Sequence, residues 1–279
     1  MTYTTLLVHV EDQPAPDPRL ALAVDLANRF GARLIGLGAG LYRTTYYAAG
    51  DLGFATGEML AAEMGSVEAG LKRAEDKFRS VAGAVRAGSE WRAALQFPLA
   101  VVAAEARAAD LIVTSRSPRD RHSAYEVAAA GLLVLQAGRP VLVAAPESTE
   151  LEAARVLVAW KDGREARRAL ADALPFLKAA ESVELVEIVD SKGDKPAAAA
   201  RLADVATFLH RHGIAASANV DVEDKHATGA DQLLEFAEQT KADLIVAGGY
   251  GHTRFQEWVF GGFTRALLAQ SGRAVLFSH

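Results

Sequence analysis

Cysteine is absent from this 279-residue chain. That excludes disulfides, thiolate metal sites and cysteine nucleophiles together, and is compatible with a reducing compartment. Basic residues are not in excess: 30 Lys and Arg stand against 35 Asp and Glu, a formal net charge of -5. Such a balance lacks the basic face that gripping a nucleic acid requires, and no run of like charge is long enough to serve as an interaction tail. Long hydrophobic runs are missing too. The longest, around Val127 to Leu135, is cut by Gln136 and Arg139 and falls short of a bilayer span. The opening MTYTTLLVHVEDQP has no basic segment and meets Glu11 and Asp12 after a short apolar stretch, which reads as a first strand rather than a signal peptide. The expectation is a cytoplasmic protein with neither a membrane nor a nucleic-acid partner. GxxxxGK[ST], GxSxG and HExxH do not occur, removing the phosphate loop with its lysine and the commonest hydrolase and metalloprotease constellations.

What is present is a duplication. DLIVTSRS from Asp110 is answered by DLIVAGGY from Asp243, GRPVLVAAP from Gly138 by GRAVLFSH from Gly272, and TTLLVHV near the start by ARVLVAW from Ala154. The first copy is longer before its DLIV segment, and the surplus falls between Leu41 and Leu60, a stretch without a counterpart. Within each copy, short apolar runs alternate with helical patterns. In the second, RVLVAW, VELVEIV, AASANVDVE, DLIVAGG and AVLFSH read as strands. The helix beginning REARRALADALPFL is expected to be perturbed at Pro175, and the one ending LHRHG to stop at Gly213. Near-continuous apolar strands separated by helices indicate a parallel sheet covered on both faces. The fold class is therefore α/β: two tandem doubly wound parallel-sheet domains, at 1–145 and 154–279, joined by a polar linker at 146–153.

The second copy carries Gly248-x2-Gly251-x9-Gly261 in a strand–loop–helix context. Glycines let the backbone approach a ligand, and a helix N-terminus offers unpaired N–H groups to an anion. This spacing, with YGHTRFQEWVFGGFTRALL around it, resembles the signature of the universal stress protein family. The resemblance implies the adenine nucleotide alpha hydrolase-like fold, a stress-response regulatory role and ATP or a related adenine nucleotide as cofactor. By the same resemblance the ligand would be held by Ala159, Lys161, Ile188, Ala247, Gly248, Tyr250, Gly251, Gly261, Gly262, Phe263 and Thr264. Ile188 would form an apolar wall under the adenine or ribose. The last strands of two domains pair in that family, which makes PVLVAA and AVLFSH the seam of an internal pseudo-dimer and leaves room for symmetric pairing of whole chains.

Two positions depart from the family pattern. Lys161 stands where an acid is usual, reversing the charge and removing an acceptor, with Asp162 next to it as a substitute. Gly262 replaces the hydroxyl residue after the third glycine, leaving Thr264 as the nearest hydroxyl. His252, Arg254 and Arg265 offer positive charge to a phosphate. In the first copy Ser115 stands at the place of Gly248, Pro118 at that of Gly251 and Val127–Ala128 at that of Gly261–Gly262, so nucleotide binding there is not expected. Asp221, Glu223, Asp224 and His226 read as a solvated loop rather than a metal site. Trp91, Trp160 and Trp258 read as packing residues, and Tyr42, Tyr46 and Tyr47 as a satellite core beneath a long loop. Two rival functions remain: a nucleotide-free scaffold, motivated by Lys161 and Gly262, and a slow ATP hydrolase with His252 as its one nearby histidine.

Overall fold

The computed structural model describes residues 2–12, 17–41, 53–116, 128–224, 226–250 and 262–279. Ten strands form a single sheet in the order β3-β2-β1-β4-β5-β10-β9-β6-β7-β8. The first half contributes β1 (Thr5–His9), α1 (Pro18–Phe30), β2 (Arg33–Ala39), α2 (Gly53–Ala82), β3 (Ser89–Ala94), α3 (Pro98–Glu105), β4 (Leu111–Ser115), α4 (Ala130–Gln136) and β5 (Val141–Ala144). The second contributes β6 (Arg155–Ala159), α5 (Arg164–Asp172), α6 (Leu174–Leu177), β7 (Ser182–Val189), α7 (Lys195–Arg211), β8 (Ala216–Val222), α8 (Gly229–Gln239), β9 (Leu244–Gly248), α9 (Gly262–Gln270) and β10 (Ala274–Ser278).

Within each half the strands run parallel in the order 3-2-1-4-5 of a doubly wound sheet. The halves join where β5 meets β10 antiparallel, with Val143 opposite Val275, Leu142 opposite Leu276 and Val141 opposite Phe277. The two closing strands thus cover each other's open edges, as the repeated GRPVLVAAP and GRAVLFSH segments suggest. The contact extends beyond the ladder. Tyr3, Phe30 and Phe176 pack edge to face across the two halves, the Tyr3 hydroxyl donates to the Asp172 carbonyl at 2.6 Å, and Arg29 donates to the carbonyls of Leu151 and Glu152.

The duplicated Asp of DLIV has one structural task in both halves. Asp110 accepts from the backbone N–H groups of Thr4 and Thr5, and Asp243 from those of Ala154 and Arg155. Each carboxylate therefore pins the start of its half's first strand to the strand that will lie beside it, satisfying donors no ladder reaches. Burial would raise the Asp110 carboxyl, but the hydrogen bonds from Thr4 and Thr5 hold it below the usual carboxylate range.

Helix boundaries follow local chemistry. Asp17 caps α1 by accepting from Leu20 N at 3.2 Å, Pro18 opens the helix, and Gly31 ends it in the left-handed region. Thr228 and Asp231 form a reciprocal capping box on α8. Pro175 splits the expected long helix into α5 and α6, and Gly213, at φ 78°, stops the chain just past α7. The surplus of the first half differs from a plain loop insertion. α2 runs for 30 residues against 17 in α7, so residues 53–60 are helix. Tyr42, Tyr46 and Tyr47 lie outside the described residues.

Apolar side chains line both faces of the sheet. One layer holds α1, α2, α5 and α7 against residues such as Leu6, Val156 and Leu185, and the other holds α3, α4, α8 and α9 against Leu7, Leu157 and Ile245. Trp91 packs on Phe78 with ring centroids 5.4 Å apart, and Trp160 is buried in the first layer, so both act in packing. No helix among the described residues is long and apolar enough to cross a membrane.

Candidate functional site

In a doubly wound sheet the crevice lies beyond the carboxyl ends of the two strands where the winding reverses, here β6 and β9. Neighbouring residues Ala159 and Ala247 are paired across those strands. Ala159, Ile188, Tyr250 and Phe263 are half-buried against the layer formed by α8 and α9, in which Ala247 is fully buried. Five of the expected contact residues are thus gathered on one face at one end of the sheet.

The glycines divide into two kinds. A Cβ on Gly248 would lie 2.7 Å from the Ala166 nitrogen and 2.8 Å from the Glu165 carbonyl carbon. Its neighbour Gly249 would drive a Cβ to 2.5 Å from Val134 Cγ1, on α4 of the other half. Both are therefore required by the protein's own packing: Gly248 seats the first turn of α5, and Gly249 seats the opposite half. Packing is thus a reason for glycine at 248 that stands beside the expected ligand contact. Gly262 is different. It opens α9, is exposed, and among the described residues has no atom within 4 Å of the place a Cβ would take. Gly251 and Gly261, with His252, Arg254 and Trp258, lie outside the described residues.

Tyr250 adopts φ 58°, the left-handed region that costs a non-glycine residue energy. The turn is held by its N–H, which donates to Thr264 Oγ1 at 3.2 Å. The Thr264 hydroxyl, buried on α9, therefore ties the end of β9 to the first turn of that helix. Burial raises the Tyr250 hydroxyl to about 12.

The two helix N-termini at this end are not equivalent. Gly163 gives α5 no side-chain cap, but Glu165 in its first turn is buried. Burial alone would raise that carboxyl; its own backbone N–H, Arg164 at 2.8 Å and the nearby His279 keep it below the usual range. The positive pole of α5 thus already faces a resident carboxylate. The first turn of α9 contains no acid. His279 is fixed with Nδ1 3.0 Å from the Gly249 carbonyl. Sequence reasoning passed over Glu165, His279 and Gly249, although the direct repetition of glycine at 248–249 was a signal for two separate close approaches.

Lys161, just past β6, is exposed. Asp162 does not take over the acid's place: its carboxylate pairs with Arg167 at 2.7 Å on the surface. Toward an adenine nucleotide the residues present fit unevenly. Gly262 and the acid-free first turn of α9 suit the phosphate end, and Ala159 and Ile188 suit a flat apolar group, while Lys161 stands where the resemblance implies an acid.

The equivalent end of the first half is filled by charge pairs. Glu11 binds Arg19 at 2.8 Å, Arg19 reaches Asp17 at 3.2 Å, Lys77 Nζ donates to the Glu11 carbonyl at 2.7 Å, and Arg73 pairs with Asp12. Arg116, after Ser115, donates to the Arg273 carbonyl at 3.2 Å. Ala128 is buried, and Pro118 and Val127 lie outside the described residues. No group of acids and histidines able to hold a metal occurs among the described residues. In the segment after β8, Asp224 Oδ1 accepts from His226 N at 2.9 Å.

The fold and site define a tandem doubly wound α/β protein with a glycine-rich turn at the switch point of its second half. Residues 152–279 match the Universal stress protein family. A universal stress protein from Archaeoglobus fulgidus DSM 4304 superposes with a TM-score of 0.67 at 16% identity, covering 98% of this chain and 97% of that one. A putative universal stress protein from Pseudomonas aeruginosa UCBPP-PA14 gives a TM-score of 0.60 at 15% identity, covering 98% of this chain and 92% of that one. These establish that the whole chain has the universal stress protein fold twice. A universal stress protein from Archaeoglobus fulgidus in complex with dAMP is 20% identical over 43% of this chain and 94% of its own, with a TM-score of 0.36. No curated protein sequence matches the chain.

Proposed function

We propose that the protein is a stress-response regulator that binds ATP or a related adenine nucleotide in its second half, the first half serving as its fixed internal partner. The observation that carries this reading is Gly262: an exposed glycine opening α9 with no atom of the described residues near its missing Cβ. Packing explains Gly248 and Gly249 but gives no reason for a glycine at this place. The N–H groups of that first turn are suited to phosphate oxygens, and exposed Lys161 and Arg265 add positive charge at the same end of the sheet. Calorimetric titration with ATP tests the reading. Binding should be measurable at millimolar ligand, and Gly262→Val should weaken it at least tenfold while leaving the melting temperature unchanged. Absence of heat and of retained nucleotide at millimolar ATP refutes it.

One observation favours the rival, a nucleotide-free scaffold. Gly248 is fully accounted for by the seat of α5, so the first motif glycine needs no ligand. On that reading the native chain binds nothing, and the pair Lys161→Asp with Gly262→Ser creates binding. Strong binding by the native chain eliminates it.

A further inference from the structure

We infer that the free edge of β3 is a docking surface for a second copy of this chain, the two β3 strands pairing antiparallel about a two-fold axis at Trp91. β3 is the terminal strand of the sheet and pairs only with β2 among the described strands. The direction of its peptide groups is fixed by that pairing. The Gly88 carbonyl accepts from Leu34 N at 3.2 Å and the Ala94 carbonyl from Gly40 N at 3.3 Å, so these residues face β2. Peptide groups alternate along a strand; Glu90 and Arg92 therefore face β2 as well. Ser89, Trp91 and Ala93 turn both N–H and C=O toward the open side.

That parity restricts the register. In an antiparallel pair, residues exchanging two hydrogen bonds alternate with residues that exchange none and whose side chains lie closest. Centring the two-fold axis on Trp91 makes Trp91 a hydrogen-bonded pair with its counterpart and joins each Ser89 to the partner's Ala93. The intervening close pairs are then Glu90 opposite the partner's Arg92, twice, each pair exchanging with the Arg92–Glu90 contact of 2.8 Å made within one chain while Arg92 keeps Glu105. Centring on Glu90 or on Arg92 instead would set like charges against each other, which is destabilising. The short strand is thus self-complementary in one register, in backbone parity and in charge. The other free edge, β8, has no such property. Its one charged residue is Asp221, whose carboxylate accepts from the adjacent Val222 N at 2.8 Å.

The surroundings of β3 fit the same occupant. A cavity of about 340 Å³ opens beside the strand between Trp91 and Leu71, rimmed by Glu68 and Lys72 of α2. Of the five large hydrophobic side chains exposed among the described residues, Met59, Leu60, Leu95 and Phe97 lie on α2 or just beyond β3, and only Phe208 lies elsewhere. Neither the six-residue strand nor its flank carries a proline before Pro98, so every peptide N–H along the open side can donate. The apolar flank adds buried area to a ladder too short to hold a dimer alone.

Light scattering coupled to gel filtration tests the inference. The native chain, 29.6 kDa, should elute at about twice that mass at tens of micromolar. Glu90→Arg and Arg92→Glu should each dissociate at least about tenfold more readily. Mixed in equal amounts, the two variants should form a heterodimer, because the paired cations of one strand then face the paired carboxylates of the other. Amide exchange at Trp91 and Ala93 should slow as native protein concentration rises. A monomeric native chain, a dimer indifferent to both substitutions, or variants that fold by circular dichroism yet fail to associate on mixing would each overturn it.

Discussion

His9 is the side chain whose burial makes the sharpest demand on solution conditions. It lies at the end of β1, is 3% exposed, and its Nε2 has no hydrogen-bond partner among the described residues. Charged groups face it from the same loop and from the helices packed there: Glu11 with an oxygen 3.8 Å from Nδ1, Asp17 and Arg19. Burial is the largest influence, and with the Arg19 charge it outweighs Glu11, the Ala39 backbone and Asp17, lowering the imidazole from 6.5 to about 4. The sign follows directly. Above the unfolded value both states hold a neutral ring; between 6.5 and about 4 the unfolded chain takes a proton that the folded chain refuses, so stability falls as pH falls. At about 1.4 kcal/mol for each pH unit, the full loss is about 3 kcal/mol, a large part of the stability of an ordinary domain.

The perturbation is His9→Leu, similar in volume and free of the unpartnered nitrogen. At pH 7.5 it should change stability by less than about 1 kcal/mol. Urea denaturation of both proteins from pH 7.5 to 4.5 then isolates the histidine, because carboxylates common to both cancel in the difference. The native chain should lose about 2 kcal/mol more than the variant over that range. Parallel pH profiles would refute the reasoning and place His9 in contact with water or with an anion in solution.

The close approach at Gly248 predicts that Gly248→Ala lowers stability by about 1–3 kcal/mol, since the new methyl meets backbone of α5 rather than a side chain able to move. Thermal unfolding checks this, with Gly262→Ala unchanged as its control. Asp243→Ala leaves the N–H groups of Ala154 and Arg155 without their acceptor and should cost about 1–3 kcal/mol by urea denaturation. Tyr3→Phe removes the hydrogen bond to the Asp172 carbonyl and keeps the ring cluster, so a loss of about 1 kcal/mol is expected; a loss as large as that of Tyr3→Ala would show that the hydroxyl, not the ring, joins the halves.

Repetition in the sequence carried most of the fold, because each repeated segment has a fixed physical task. Apolar runs must be covered on both faces, and DLIV recurs because Asp110 and Asp243 clamp the first strand of each half. The closing segments recur because each covers the other's edge. The site was less legible for a reason the glycines make plain. A glycine reports that something comes close, not what comes close. At Gly248 the visitor is α5, at Gly249 it is Val134 of the other half, and at Gly262 no atom of the described residues comes close. The surplus of the first half reads as a loop in sequence because polar and small residues between Leu41 and Leu60 hide the helical period that α2 continues further on.

The two halves also show how one architecture can use the same strand end in opposite ways. After β1 the chain places Glu11 and Asp12 where it meets Arg19, Lys77 and Arg73, so the acids are consumed in pairs with α1 and α2. After β6 the corresponding stretch puts Lys161 in solvent and turns Asp162 outward to Arg167. α2 presents Arg73 and Lys77, both within its last ten residues, to the first crevice, whereas α7 directs Arg201 to Glu187 on β7 instead. Charge pairing at the first half and an exposed cation at the second therefore follow from where each helix presents its bases. Shortening α2 in register would not by itself open a second site, because Ser115 still carries the Cβ that the glycine at 248 lacks.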